Sequence, residues 1–304
     1  MQITNHILMI RPVDFKFNAQ TAENNKFQVA SEQDDVQDKA LKEFDGFVAL
    51  LRNSGVDVTV IDDTLVPEKP DSIFPNNWVS FHEDGSTFLY PMFSENRRLE
   101  RRKDILDTLN EKFDVSHVSD LSFYEFQNQF LEGTGSMVLD RENKVAYACI
   151  SVRTDVDVLS NFCMLSGYKP VYFEAVDGQG FPIYHTNVMM CIGDRFAVIC
   201  LAAVPDAVDR EMVRRSLAGS GKEVMEISID QMNKFAGNML QVAGKAGESL
   251  LIMSEQAYLS LNTEQITALE KYARIIHSPL YTIEQNGGGS ARCMLAEVHL
   301  PLRQ

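Results

Sequence analysis

The chain has 304 residues, of which 45% are hydrophobic and 23% are charged, and its formal net charge is −15. This composition is typical of a globular protein, and the negative charge disfavours a nucleic-acid partner, whose phosphates need a basic surface. No apolar run approaches the roughly 18 residues of a membrane helix, and the N-terminal MQITNHILMIRPVDF lacks the pattern of a signal peptide. We therefore expect a cytoplasmic protein with no membrane partner.

The predicted elements begin with a strand, a helix and a strand, in HILMIRP, KALKEFDGFVALLRNSG and VDVTVID. The acidic run SEQDDVQDK between the first two is interpreted as solvated surface. Four units of strand, strand, helix and strand follow, and a last strand-like segment lies near the C-terminus. The first strand of each unit, and this last segment, are predicted around Trp78, Met137, Val188, Met239 and Cys293.

These five anchors are spaced by 59, 51, 51 and 54 residues. Self-similarity at a period near 50 predicts a ring of equivalent units rather than one doubly wound sheet. In such a ring the two ends of the chain meet and complete the fifth unit, which leaves few open sheet edges. No linker divides the sequence, so we predict a single α/β domain over residues 1–304.

The five cysteines are predicted to be free thiols, because no secretion signal is present. No CxxC pair or Cys/His cluster has zinc spacing, so no metal site is expected. Most of the cysteines lie in apolar runs typical of a core. Cys293 instead follows NGGGSAR, a permissive stretch that allows other groups to approach the main chain closely. From this stretch alone, a core role and a nucleophilic role both stay open.

Three motifs, PDSIFPNNW, LEGTGSMVL and HTNVMMCIGD, precede the C-terminal cysteine in this order. With them, nearly the whole chain resembles the guanidino-group-modifying superfamily of arginine deiminases, dimethylarginine dimethylaminohydrolases, agmatine deiminases and amidinotransferases. It most resembles the arginine-deiminase-related branch that includes citrulline-utilisation hydrolases. The resemblance implies a five-bladed α/β propeller of ββαβ units with pseudo-fivefold symmetry and an active site in the central channel.

By position, the resemblance implies that Cys293 is the nucleophile, His185 the general acid and base, and Glu132 the acidic partner of His185. A thiolate can attack the planar carbon of a guanidine or urea, but the nitrogen leaves only when it is protonated. One histidine can protonate it and then activate water, while a carboxylate orients the ring. Taken singly, His185 is typical of a strand end and Glu132 of a solvated turn. Their equivalent places in three repeats favour catalysis.

The chain departs from the deiminases where those enzymes place two carboxylates that hold the guanidinium. Here these positions are Asn77 and Asn187, and Asn76 is adjacent to the first. An asparagine amide can donate as well as accept, whereas a guanidinium presents only donors. The exchange favours a neutral ureido substrate such as citrulline over arginine. The alternative is that these asparagines are turn residues.

Further substrate contacts follow from the resemblance. Asp71 matches a substrate-contacting acid, and Asn238 matches a channel-lining position in the fourth unit. Arg98, or its neighbour Arg97, and Arg153 match positions that bind the substrate carboxylate, since a guanidinium fork suits such an anion. The alternative for ENRRLERRKD is simply a basic helix start.

The predicted function is a cysteine-dependent hydrolase of the non-peptide C–N bond of a ureido or guanidino amino acid, with a covalent Cys293 adduct and no cofactor. The expected partner is a small-molecule substrate. An amidinotransferase and an amino-acid-binding protein without turnover are the alternatives. The leaving group and the oligomeric state, including a homo-oligomer, stay open. The absence of GxGxxG, GxxxxGK[ST] and GxSxG motifs disfavours nucleotide-binding proteins and serine hydrolases.

Overall fold

Five three-stranded sheets form the framework of the computed structural model, which describes residues 1–30 and 35–303. In chain order the strands are β1 (His6–Arg11), β2 (Asp57–Asp62), β3 (Val79–Phe81), β4 (Ser86–Leu89), β5 (His117–Asp120), β6 (Val138–Asp140), β7 (Val145–Cys149), β8 (Lys169–Phe173), β9 (Met190–Ile192), β10 (Phe196–Ile199), β11 (Glu223–Glu226), β12 (Leu240–Ala243), β13 (Ser249–Ser254), β14 (Arg274–Ser278) and β15 (Ala296–Glu297).

Every sheet has the same topology. A middle strand pairs antiparallel with one neighbour and parallel with the other, in the orders β15–β1–β2, β3–β4–β5, β6–β7–β8, β9–β10–β11 and β12–β13–β14. A parallel pair needs a crossover, and here the crossovers contain the helices Val36–Asn53, Lys103–Leu109, Val156–Ser166, Ala207–Gly219 and, in the last unit, Glu255–Ser260 with Thr263–Glu270. This confirms the predicted propeller of ββαβ units.

The C-terminal part of the chain completes the first sheet. β15 pairs antiparallel with β1, with Ile7 opposite Glu297. β15 also contacts β3, and β9 contacts both β6 and β12, so the inner strands of neighbouring sheets lie side by side. The predicted meeting of the two chain ends is therefore confirmed.

The helices cover the sheets with apolar faces. In Val36–Asn53 the buried residues recur at intervals of three or four, as expected of an amphipathic helix, and they are Ala40, Phe44, Phe47, Val48 and Leu51. They pack with β1 in one core cluster. The acidic run SEQDDVQDK extends into the first turn of this helix, and its residues 31–34 lie outside the described residues. Within the described part of the chain, no helix has the length and apolar character to span a bilayer.

The anchor segments differ from the prediction in one respect. Short helical turns precede four of the inner strands, and they are Pro75–Asn77, Gly133–Ser136, Thr186–Met189 and Ala291–Met294. Val188 and Cys293 lie inside such turns, and the strand begins after each turn. The strands around Trp78, Met137 and Met239 begin at the next residue. Those around Val188 and Cys293 begin two and three residues later, because a turn of three or four residues is too short to show a helical period.

Candidate active site

The turns that precede the inner strands converge on a narrow pocket. The candidate nucleophile and histidine both face it, together with a glycine-rich loop and a segment near the N-terminus. Its lining residues are Thr21, Asn25, Asp71, Phe74, Asn77, Arg97, Arg153, Tyr184, His185, Gly287, Gly288, Gly289 and Cys293.

Cys293 lies on the turn Ala291–Met294 and is only 4% exposed. Two side-chain amides donate to its sulfur: Nδ2 of Asn187 at 3.4 Å and Nδ2 of Asn238 at 3.3 Å. The Asn238 amide is oriented by its own oxygen, which accepts from the backbone N–H of Arg292 at 2.9 Å. Two donors aimed at one sulfur stabilise negative charge there, as a thiolate nucleophile requires.

Glu132 and His185 form a buried pair. Each is the residue that precedes a helical turn, at Gly133–Ser136 and Thr186–Met189. His185 Nε2 lies 2.8 Å from Glu132 Oε2, and the same oxygen lies 3.4 Å from Nη1 of Arg153. The other carboxylate oxygen of Glu132 accepts from the Phe93 N–H at 3.0 Å. The structure thus brings the predicted acid and histidine together.

The charges around this pair set its protonation. Burial opposes the ionisation of Glu132, but Arg153 and the hydrogen bond with His185 outweigh it and hold the pKa of Glu132 well below its usual range. Burial lowers the pKa of His185 to about 4. Arg153 and Arg97 also lower this pKa, whereas Glu132 raises it. At neutral pH a neutral His185 therefore donates Nε2–H to the Glu132 carboxylate, and its Nδ1 can accept a proton.

Asn77 and Asp71 present polar atoms without partners. The oxygen of Asn77 accepts from Arg97 Nη1 at 2.9 Å, and its Nδ2 has no hydrogen-bond partner among the described residues. Asp71 Oδ2 accepts from Asn18 Nδ2 at 2.8 Å and from Thr21 Oγ1 at 3.1 Å. Asp71 Oδ1 is buried and, within the described residues, unpaired. Such orphaned buried atoms are costly unless a ligand or water meets them.

Four predicted substrate contacts are not among the lining residues. Asn187 and Asn238 reach the pocket only through the sulfur of Cys293, and the other two are held by neighbouring protein groups. Arg98 does not line the pocket, because its Nε and Nη2 donate to the carbonyls of Met92 and Phe93 at 3.0 and 3.3 Å. Successive residues of a helical turn point about 100° apart, so its neighbour Arg97 faces the pocket instead. Asn76 is also outside the lining, and its Nδ2 donates to Thr134 Oγ1 at 3.3 Å.

Arg153 lines the pocket, but protein acceptors hold its guanidinium. Its Nε donates to Asn24 Oδ1 at 2.7 Å and its Nη2 to the Thr21 carbonyl at 2.9 Å. Nη1 faces Glu132, so Arg153 also supports the acidic partner of His185. Its predicted contact with a substrate carboxylate stays a prediction.

The sequence analysis missed the N-terminal cover of the pocket and Tyr184. Asn25 Nδ2 and Tyr184 Oη both donate to the carbonyl of Gly288, at 3.3 and 2.6 Å, and so grip the loop before Cys293. The signal in the sequence is the polar stretch NAQTAENN, which has no helical or strand period. No group of three or more His, Cys, Asp or Glu residues in the described ranges could hold a metal ion.

Solved structures share this fold. The arginine dihydrolase ArgZ, from the ornithine–ammonia cycle in Cyanobacteria, is 16% identical with a TM-score of 0.76, over 98% of this chain and 41% of ArgZ. The chain thus spans about two-fifths of ArgZ. The N-terminal domain of ArgZ alone is 17% identical with a TM-score of 0.73, over 97% of this chain and 98% of that domain.

A dimethylarginine dimethylaminohydrolase is 14% identical with a TM-score of 0.64, over 97% of this chain and 99% of that enzyme. No curated protein matches this chain. The family model described as N,N dimethylarginine dimethylhydrolase, eukaryotic, matches residues 11–300. Because this match spans nearly the whole sequence, the protein belongs to that family.

Proposed function

We propose that this protein is a cysteine-dependent hydrolase that cleaves the non-peptide C–N bond of a ureido or guanidino amino acid through a covalent adduct on Cys293. We also propose that it prefers a ureido head group such as that of citrulline. Structural neighbours support the hydrolase class: a substituted form of the N-terminal domain of ArgZ is covalently bound to a reaction intermediate, and the dimethylarginine dimethylaminohydrolase forms an adduct with 4-chloro-2-hydroxymethylpyridine. The pairing of Glu132 with His185 beside Cys293 supports the mechanism.

In the first step the Cys293 sulfur bonds to the ureido carbon, and an electron pair of the C=O bond moves onto oxygen. His185 Nδ1 takes the thiol proton, and Glu132 stabilises the imidazolium through Nε2–H. His185 then gives that proton to the terminal nitrogen, the C–N bond breaks and ammonia leaves. The product of this step is an S-thiocarbamate on Cys293.

In the second step His185 takes a proton from water, and the hydroxide attacks the thiocarbamate carbon. The C–S bond breaks, the sulfur recovers a proton, and the released carbamate decomposes to an amine and carbon dioxide. In sum, a ureido amino acid and one water give an amino-acid amine, ammonia and carbon dioxide. Citrulline would give ornithine.

The observation that carries the ureido preference is the orientation of Asn77. Its NH₂ group, not its oxygen, is left for a ligand, and such a donor matches a ureido oxygen but opposes a guanidinium. Neither carboxylate oxygen of Glu132 is open to a ligand, because one accepts from the Phe93 N–H and the other pairs with Arg153 and His185. The unpaired Asp71 Oδ1 suits the α-ammonium group of an amino acid.

The test is incubation of the protein with citrulline, arginine, dimethylarginine and agmatine, with ornithine and ammonia scored by mass spectrometry. The Cys293→Ser variant is the matched control. We expect ornithine from citrulline, and a trapped adduct on the Cys293 peptide after rapid acid quench. Turnover of arginine alone would overturn the ureido preference and leave the hydrolase class. A protein that neither turns over nor forms an adduct with any of the four would overturn both.

A further inference from the structure

Arg97 and Glu100 form a forked ion pair behind the pocket. Nε of Arg97 donates to Glu100 Oε1 at 2.8 Å and Nη2 donates to Oε2 at 2.9 Å, and both residues are 2% exposed. Two parallel hydrogen bonds fix the plane of a guanidinium as well as its position. Glu100 does not line the pocket, so it reaches the site only through Arg97.

The rest of the Arg97 guanidinium is also held by the protein. Nη1 donates to the oxygen of Asn77 at 2.9 Å, and Nη2 approaches the carbonyls of Phe74 and Asp71 at 3.3 and 3.5 Å. Burial disfavours the charged form of Arg97, but Glu100 and Asp71 outweigh it and raise its pKa. A permanently charged donor held in this way offers no open fork for a substrate carboxylate.

This fixed donor determines how the Asn77 amide sits. Arginine has only donors, so the oxygen of Asn77 must face it and the NH₂ group must face away. Gly135 shows where that NH₂ group lies: a methyl group on Gly135 would come within 2.3 Å of Asn77 Nδ2 and 2.8 Å of His185 Nδ1. The unpaired NH₂ group is therefore beside the nitrogen of His185 that handles the proton.

We propose that Glu100 is a positioning residue for substrate selection: through the forked pair with Arg97, it holds the Asn77 NH₂ group toward the reacting carbon, so that the site receives a carbonyl oxygen. This inference rests on the proposed function, which it deepens. Without Glu100, the Arg97 guanidinium loses the two parallel hydrogen bonds that fix its plane, and its hold on the oxygen of Asn77 is less strictly oriented. The site then accepts a guanidinium more readily.

The test compares Glu100→Gln and Arg97→Lys, with Arg98→Gln as the matched control. Lysine keeps a charge near Glu100, but one ammonium cannot copy the fork and also hold Asn77. The first readout is the ratio of citrulline to arginine affinity, measured in Cys293→Ser protein, with the thermal midpoint as a check on folding. The second readout is the NMR signal of the ¹⁵N-labelled side-chain amide of Asn77, which is assigned by its disappearance in Asn77→Asp. This measurement needs no substrate.

We expect both variants to lower the citrulline-to-arginine affinity ratio by at least about 10-fold, the lower part of the range for one charge-assisted hydrogen bond, and to move the Asn77 amide signal. Arg98→Gln should change neither. If Glu100→Gln unfolds, Arg97→Lys decides. An unmoved Asn77 signal in folded variants would overturn the proposal even if no substrate binds. Wild-type protein that binds neither ligand, with a signal that does move, would instead overturn only the proposed function.

Discussion

Among the cysteines, Cys293 alone has the surroundings of a nucleophile in the described residues. Burial raises the pKa of Cys149 and of Cys191 to about 12, so both stay protonated in the core at neutral pH. Cys293 instead receives the NH₂ groups of Asn187 and Asn238. Such donors stabilise the negative charge that develops on a buried sulfur while it acts as a nucleophile.

We expect Cys293→Ser to abolish turnover and to leave the thermal midpoint close to that of the wild type, because serine keeps the volume and loses the thiolate. Turnover is measured by ornithine release and folding by thermal unfolding. Cys163→Ala, on the helix Val156–Ser166 outside the pocket, is the matched control and should remain active. Full activity of Cys293→Ser would exclude the covalent mechanism.

The protonation of His185 predicts the acid side of the pH–rate profile. Burial, with Arg153 and Arg97, lowers its pKa to about 4, so the neutral base persists well below pH 6.5. The kcat/KM of the wild type should therefore be flat from pH 8 to about 5 and fall only at lower pH. The His185→Ala substitution should lower kcat/KM at least about 10²-fold, because it removes the general acid and base. An acid limb at pH 6.5 or above would contradict a neutral resting histidine, and a near-wild-type His185→Ala would remove its catalytic role.

The ureido preference predicts a change of ligand on replacement of Asn77 and Asn187 by aspartate. Two carboxylates would replace two amides, so citrulline should bind more weakly and arginine more tightly, by about 1–3 kcal/mol per contact. Affinities are measured in the Cys293→Ser background at fixed pH and salt. Asn76→Asp is the control, because the Asn76 amide donates to Thr134 Oγ1 rather than to Cys293. An unchanged citrulline-to-arginine ratio would show that neither asparagine meets the head group.

At the scale of elements, the sequence indicates the order of strands and helices but not the local frame of the site. Apolar periods predict the sheets and their helices, because burial repeats along each element. The short turns before the inner strands carry no period, so the sequence pattern leaves open whether Cys293 lies on the turn or within the strand that follows. The choice between Arg97 and Arg98 depends on where one turn begins, at Glu95. The fork with Glu100 depends on that same local geometry.

The helix Tyr281–Gly287 holds the loop before Cys293 through Glu284. Its carboxyl accepts from Ser290 Oγ at 2.6 Å and from Gln256 Nε2 at 3.1 Å. Burial raises the pKa of Glu284 to about 7, above the ordinary 4.5. Between pH 4.5 and about 7, the folded protein keeps a proton on Glu284 that the unfolded chain has released. The proton therefore stabilises the fold fully below pH 4.5, and this contribution is lost as the pH rises through 7.

Glutamine mimics the protonated form of Glu284. We therefore expect the Glu284→Gln variant to have the same free energy of unfolding as the wild type at pH 4 and a larger one at pH 8. The difference in the free energy of unfolding should be on the order of 3 kcal/mol. The measurement is urea unfolding of both proteins from pH 4 to 8. Glu255→Gln, a half-buried neighbour whose carboxylate accepts from Tyr281 Oη, is the control and should show no such trend. A difference that does not depend on pH would refute the buried-proton account.

At the scale of the whole molecule, ring closure is the feature that the sequence predicts best, because a period near 50 residues leaves one unit divided between the two ends of the chain. The charges that support closure could not be predicted. Glu297 on β15 pairs with Arg292 at 2.7 Å and with Arg141, which follows β6, at 3.4 Å. The backbone N–H of Arg141 also donates to Gln2 Oε1 at 2.7 Å. Residues from distant parts of the chain thus meet at the centre of the ring.

The cluster around Glu297 predicts how closure responds to acid. Burial opposes its ionisation, but Arg141 and Arg292 outweigh it and hold the pKa of Glu297 well below its usual range. Its contribution is present above the ordinary pKa near 4.5 and is lost as the pH falls and the unfolded chain takes up a proton. Glu297→Gln should therefore destabilise the protein by about 3–5 kcal/mol at pH 7, because it strands two buried arginines, and by less at pH 3. Urea unfolding at both pH values measures this, with the exposed Glu83→Gln as control. A loss that is equal at both pH values would mean that packing, not charge, closes the ring at Glu297.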